Sequence, residues 1–168
     1  MKKRIIVVAL LVLCLVAPVF AASTKGATQK GTVGVGLNLG TNTGVGFRYG
    51  MGQYDILANF GLNNFKFDPF SMSVDAAASY KVYTIDGGKR SLQFPITVGG
   101  GAALAMTFNS DKVGIDLSVL VPVGIEYTFT EVPITLYLRL APGVQFLQNS
   151  SFKMGFAFAG YIGALWNF

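Results

Sequence analysis

The sequence has no histidine, and its single cysteine, Cys14, lies in the N-terminal apolar run. A general acid, general base or triad built on histidine is therefore excluded. Metal sites built on histidine or cysteine are excluded as well, once the segment that holds Cys14 is removed. The same removal leaves no thiol for a disulfide. We expect no metal, no other cofactor and no catalytic residues; an enzyme built on carboxylates alone is the alternative.

Charged residues are also few. They make up 12% of the chain, against 52% for apolar residues, whereas soluble domains carry about 25% charged residues. Past the N-terminus, however, no apolar stretch approaches the ~20 residues that a membrane-spanning helix needs. A closed β-barrel resolves this conflict, because its strands satisfy every backbone polar group through their neighbours.

The N-terminus has the layout of a secretory signal peptide. Lys2, Lys3 and Arg4 precede an apolar run over residues 5–16, and small residues before Ala22 offer a cleavage site. We predict a signal peptide over residues 1–21 and one domain over residues 22–168. An uncleaved membrane anchor and a lipoprotein modified at Cys14 are the alternatives.

Cleavage removes three of the thirteen basic residues, so the net charge falls from +5 to +2. This small charge gives no reason to expect a nucleic-acid partner.

Alternation of apolar and polar residues with period two occurs eight times, and turn residues separate the segments. This pattern predicts an all-β fold, an eight-stranded antiparallel up-and-down transmembrane β-barrel. The predicted strands cover residues 33–39, 45–51, 54–62, 72–82, 92–108, 115–127, 134–146 and 154–168.

Eight charged residues fall within these strands, all on the face opposite the apolar row. They are Arg48, Asp55, Asp75, Lys81, Asp116, Glu126, Arg139 and Lys153. We interpret them as lumen charges that either pair and plug the barrel or form a constriction that filters ions. Arg48 and Asp55 lie at equal distances from the Met51–Gly52 turn, so we expect them to face each other in a salt bridge.

The polar face is rich in glycine, alanine, serine and threonine, which suits a narrow lumen better than a solvent surface. A lipocalin-like barrel with its apolar face inward is the alternative. Aromatic residues sort by depth, as in the two interfacial girdles of outer-membrane barrels. One predicted girdle holds Tyr49, Tyr54, Tyr80, Phe94, Tyr127, Trp166 and Phe168, and the other Phe60, Phe65, Phe67, Phe70, Phe108, Phe146 and Phe152.

The chain ends in Tyr161-x-Gly163-x-x-Trp166-x-Phe168. This ending resembles the C-terminal assembly signal of bacterial outer-membrane barrels, and the whole mature chain is similar to small eight-stranded barrels of the OmpA-transmembrane, OmpX or OmpW type. The resemblance implies a place in the outer membrane of a Gram-negative-type envelope. It also implies that the barrel-assembly machinery recognises these four residues.

We therefore expect a monomeric outer-membrane protein in contact with lipid, with a structural role and a largely filled lumen. A narrow, porin-like passage for small or apolar solutes is the first alternative, and a surface-binding, adhesin-like role is the second. Residues 63–70, the longest predicted loop, are the candidate contact for the latter.

Overall fold

A computed structural model describes residues 30–88, 92–110 and 112–168, apart from the side chains of Phe65 and Lys66. The predicted signal peptide, residues 1–21, lies outside the described residues.

The described chain is built of nine β-strands. They are β1 (Val33–Gly40), β2 (Asn42–Gly50), β3 (Tyr54–Phe67), β4 (Phe70–Asp86), β5 (Gln93–Phe108), β6 (Val113–Leu120), β7 (Val123–Thr128), β8 (Ile134–Gln148) and β9 (Ser151–Asn167). Among the described residues, no helix has the length and apolar character needed to cross a membrane.

All nine strands belong to one antiparallel sheet that closes in a ring. Strands consecutive in the chain are neighbours in the sheet, apart from β6 and β7, and β1 pairs with β9 to close it. The closing ladder runs from Gly34 opposite Asn167 to Gly40 opposite Tyr161. The predicted all-β antiparallel fold is confirmed to this extent.

The strand number differs from the eight predicted, because residues 115–127 form two strands rather than one. β6 and β7 both pair with β5 on one side and β8 on the other, so they share one position in the ring. Pro122 lies between them and has no N–H to donate to a ladder. Its carbonyl still accepts a hydrogen bond from the Gly99 N–H at 2.8 Å. The ring therefore keeps eight positions.

Burial follows the predicted alternation. Large apolar side chains on all nine strands are exposed on the outside of the ring, whereas the buried residues are mainly polar or charged. On β1, for example, Leu37 is 68% exposed and the adjacent Asn38 is buried. This distribution is the reverse of a soluble protein, where charged residues are rarely buried.

The ring has two ends. The terminal end holds Val33 and Phe168, where the backbone N–H of Phe168 donates to the carbonyl of Val33 at 2.8 Å. The distal end holds the β1–β2, β3–β4, β5–β6 and β8–β9 turns.

The predicted loop over residues 63–70 is wrong. β3 continues to Phe67 and pairs there with Phe70 of β4, so that only Asp68 and Pro69 form the turn. The β8–β9 connection is equally short. Asn149 and Ser150 have φ angles of 50° and 62°, as a two-residue type I′ hairpin requires.

The distal end is uneven, because the β1–β2 hairpin is much shorter than its neighbours. β1 pairs with β9 no further than Tyr161, and Thr41 then bonds to Gly160. Beyond that point, residues 151–159 of β9 pair with β8 alone in the described part of the chain. The wall of the ring therefore has a notch above Thr41, between β9 and β3.

Close packing inside the ring constrains the C-terminal strand at Gly163. Tyr137 of β8 lies directly opposite Gly163, and its buried ring covers the glycine. A Cβ built on Gly163 would lie 2.5 Å from Cζ of Tyr137. Glycine is required here because any side chain would displace the ring.

Substituting Gly163→Ala should lower the free energy of unfolding by about 1–3 kcal/mol, because the added methyl overpacks the contact with Tyr137. Gly155→Ala is a matched control on the same strand, since no heavy atom lies within 4 Å of its Cβ position. Urea unfolding in detergent micelles, followed by Trp166 fluorescence, measures both variants. Equal stability of the two variants would contradict the predicted role of Gly163.

Candidate functional site

The interior of the ring collects most of the predicted lumen charges. Six of the eight are buried: Arg48, Asp55, Asp75, Lys81, Glu126 and Arg139. Asp116 is half-buried near the distal end. Lys153 is exposed, so its assignment as an interior charge is corrected. It lies on the part of β9 that rises above the β1–β2 hairpin, where the wall no longer encloses a side chain.

Three of these residues form what we term the ion-pair cluster, Arg48, Glu126 and Arg139, in the terminal half of the ring. Glu126 Oε2 accepts from Arg48 Nη1 at 3.0 Å, and its Oε1 accepts from Arg139 Nη2 at 2.7 Å. Glu126 is only 3% exposed, and both arginines are equally buried. Each carboxylate oxygen therefore binds a different guanidinium, which compensates for its loss of hydration.

Polar groups from β8 and from one further strand, β9, extend this cluster. Arg48 Nη2 donates to Asn167 Oδ1 at 2.5 Å and to Thr135 Oγ1 at 3.2 Å. The Asn167 amide donates in turn to Thr135 Oγ1 at 2.9 Å. Strands β2, β7, β8 and β9 thus meet through side chains in the middle of the ring. The terminal half of the interior is closed by these contacts.

The predicted Arg48–Asp55 pair is wrong in its register. Arg48 lies opposite Leu57, and Asp55 lies opposite Gly50, so the two side chains do not face each other across the hairpin. The ladder is displaced by two residues from the symmetric arrangement that was expected. Both residues still point inward, because a shift of two preserves the face.

Tyr137 and Tyr161 form a layer beside the ion-pair cluster. Both rings are buried and pack with Leu165 in an apolar group inside the ring. The guanidinium carbon of Arg139 lies 4.1 Å from the centre of the Tyr137 ring, within range of a cation–π interaction. Tyr161 was predicted as part of the C-terminal assembly motif, whereas Tyr137 was not among the predicted site residues. The sequence feature that could have identified Tyr137 is a large side chain on the inward face, where Gly46 and Gly163 leave space for it.

Asp75 occupies a separate polar site toward the distal end. Its Oδ2 accepts from the side-chain amide of Asn42 at 2.7 Å, and its Oδ1 accepts from that of Asn59 at 2.6 Å. The Asn38 amide donates to the carbonyl of Asn42 and holds that strand end in place. Asp75 is therefore fixed by uncharged donors from β2 and β3. The described part of the chain provides no ion pair for it.

A cavity of about 270 Å³ lies next to Asp75 in the distal half of the ring. Its lining includes a second carboxylate, Asp116, together with Asn42, Ser73 and Gln145. Thr41, on the lower edge of the notch, and Phe156 and Phe158, on β9 beside it, also line the cavity. The interior is thus filled in its terminal half and hollow in its distal half.

The predicted assembly residues divide between the two faces. Tyr161 is buried inside the ring and Gly163 contacts Tyr137, whereas Trp166 and Phe168 are exposed outside.

The described residues contain no group of three or more His, Cys, Asp or Glu side chains that could hold a metal ion. Comparison with protein-family models, curated proteins and solved structures finds no match to this chain.

Replacing Glu126 by glutamine should destabilise the fold by about 3–5 kcal/mol, because two buried guanidinium groups lose their counter-charge. Glu131→Gln is the matched control, since Glu131 is exposed in the turn before β8. Denaturant unfolding of the refolded protein in micelles measures both changes. A Glu126→Gln variant as stable as the control would contradict the role assigned to the cluster.

Proposed function

We propose that this chain is an integral outer-membrane protein, a monomeric transmembrane β-barrel with eight strand positions, and that its role is structural. The observation that carries the proposal is the row of exposed apolar side chains on the outside of every strand. Soluble monomers rarely expose a contiguous apolar surface larger than a few hundred Å². A belt that runs around the whole ring is typical of a surface in contact with lipid.

The buried charges support the same orientation. In a soluble barrel they would lie outside and the apolar rows inside. Here Arg48, Glu126 and Arg139 are buried within the ring and make their contacts with one another and with interior polar groups. A closed sheet also leaves no strand edge unpaired along its closed part, which is the condition for β-structure in a bilayer.

The ion-pair cluster favours a structural role over an open pore. Its side chains are almost fully buried and connect four strands across the terminal half of the interior. Water and ions would have to displace paired buried charges in order to pass. The very short β3–β4 and β8–β9 turns also offer little area for a surface-binding role.

The resemblance of the C-terminal motif to outer-membrane assembly signals supports the proposed location and family, that of small OmpA-, OmpX- or OmpW-like barrels. Trp166 and Phe168 are exposed on the last strand, and β9 is also the strand that closes the ring with β1. We infer that the assembly machinery binds this strand before β1 pairs with it. Cleavage of residues 1–21 during export belongs to the same proposal.

A narrow passage for small or apolar solutes is the second candidate. The observation that favours it is the cavity in the distal half, which reaches the notch above Thr41.

Trp166, the only tryptophan of the chain, reports directly on lipid contact. It is exposed on the outside of β9 near the terminal end, where an interfacial girdle is expected. In vesicles of lipids brominated near the headgroup, its fluorescence should be strongly quenched; lipids brominated at mid-chain should quench it less. Absence of quenching by either lipid would contradict membrane insertion.

The refolded mature chain should be electrically silent in a planar bilayer, because the ion-pair cluster closes the terminal half. A triple variant, Arg48→Ser, Glu126→Ser and Arg139→Ser, removes the cluster and should give discrete conductance steps. Lys153→Ser, at an exposed position, is the control and should remain silent. Slower migration before boiling establishes that each variant is folded, and conductance of the unchanged protein would favour the passage instead.

A further inference from the structure

We propose that the distal cavity is a binding site for a small organic cation, a short alkylammonium or hydroxyalkylammonium ion. The site comprises Asp75, Asn42, Ser73 and Asp116. It goes beyond the structural role proposed above and does not depend on it, since the same interior would bind the same ligand in detergent.

The charge of the cavity is the first argument. Asp75 and Asp116 line it, and its lining contains no lysine or arginine. Of the three buried cations among the described residues of the interior, Arg48 and Arg139 are bound to Glu126 in the terminal half, and Lys81 does not line the cavity. A buried carboxylate without an ion pair is costly, and the two amide donors on Asp75 supply no positive charge. A cation in the cavity would provide it.

Unused hydrogen-bond acceptors are the second and independent argument. Asn42 is 4% exposed and Ser73 is 7% exposed, and both line the cavity. Asn42 Oδ1 and Ser73 Oγ have no hydrogen-bond partner among the described residues. The amide nitrogen of Asn42 is fixed by its bond to Asp75, so its oxygen must remain the free acceptor. Buried polar atoms normally have partners, so these two call for a donor.

An ammonium group meets this demand because it has three N–H donors and no acceptor. One donor can reach the Asp75 carboxylate and the others Asn42 Oδ1 and Ser73 Oγ. Space for it exists beside Ser73, because the residues opposite on the neighbouring strands are small, Gly61 and Ala105. Asp116 adds negative charge from β6, although its Oδ1 also accepts from the backbone N–H of Asn149 at 2.7 Å.

The size and walls of the cavity favour an organic ion over a metal. A bare calcium ion requires six to eight oxygen ligands at about 2.3–2.6 Å, which means a close shell of oxygen atoms. A cavity of about 270 Å³ is larger than such a shell. Alanine side chains, Ala103 and Ala157 among them, line the rest of it and suit a short alkyl chain. Pockets for drug-sized ligands begin at about 300 Å³, so a smaller molecule is expected here.

The test is isothermal titration of the purified protein in a nonionic maltoside detergent, which has no cationic headgroup to compete. The probe is n-butylammonium chloride, and 1-butanol is its uncharged counterpart with the same chain. We expect saturable binding of butylammonium and none of butanol. Asp75→Asn should weaken the binding at least ~10-fold, since it removes a charge-assisted contact.

Two further variants make the outcome decisive. Asp86→Asn, at an exposed position at the terminal end, should bind as the unchanged protein does. Ala105→Leu keeps both carboxylates but fills the cavity, so it should abolish binding even if Asp75→Asn does not fold. Equal binding of butanol, unchanged binding by Ala105→Leu, or tighter binding of calcium chloride at the same site would each overturn the proposal.

Discussion

The pairing of β1 with β9 is the constraint on which the rest of the structure depends. Without it the sheet would have two free edges and no interior. With it, each residue of a strand faces either inward or outward, and the apolar row is committed to the outside. Every inward polar group must then find its partner inside the ring. The ion-pair cluster and the amide contacts of Asp75 are solutions to that one requirement.

The two halves of the interior meet this requirement differently. In the terminal half, Glu126 pairs with Arg48 and Arg139 in one cluster, and the large rings of Tyr137 and Tyr161 fill the space beside it. In the distal half, alanine, serine and asparagine are prominent in the wall, and the Asp75 carboxylate is held by amides alone. The lining of the distal cavity therefore has carboxylates but no basic side chain, and small residues leave its volume unfilled. For this reason the cavity is both hollow and acidic.

The faces of the strands could be predicted from the sequence, whereas the contacts between them could not. Period-two alternation assigns Arg48 and Asp55 to the interior whatever the register, because a displacement of two residues keeps the face and changes only the partner. The true partner of Arg48, Glu126, lies on β7, across the ring and far along the chain. Alternation contains no information about such a pair. Pro122 lacks the N–H that a ladder needs, but the return of β7 to the same position in the ring depends on its pairing with β5 and β8.

The short β1–β2 hairpin also has a mechanical consequence. β9 is paired with β8 along nearly its whole length but with β1 only from Tyr161 onward. The β1–β9 ladder that closes the ring is therefore the shorter of the two ladders that β9 forms. Val33 and Phe168 lie side by side at one end of that seam. A force that pulls Val33 and Phe168 apart therefore loads the hydrogen bonds of the β1–β9 ladder one after another, starting at this end, rather than all at once in shear. The ring would open by peeling from the terminal end, with the β8–β9 hairpin still intact.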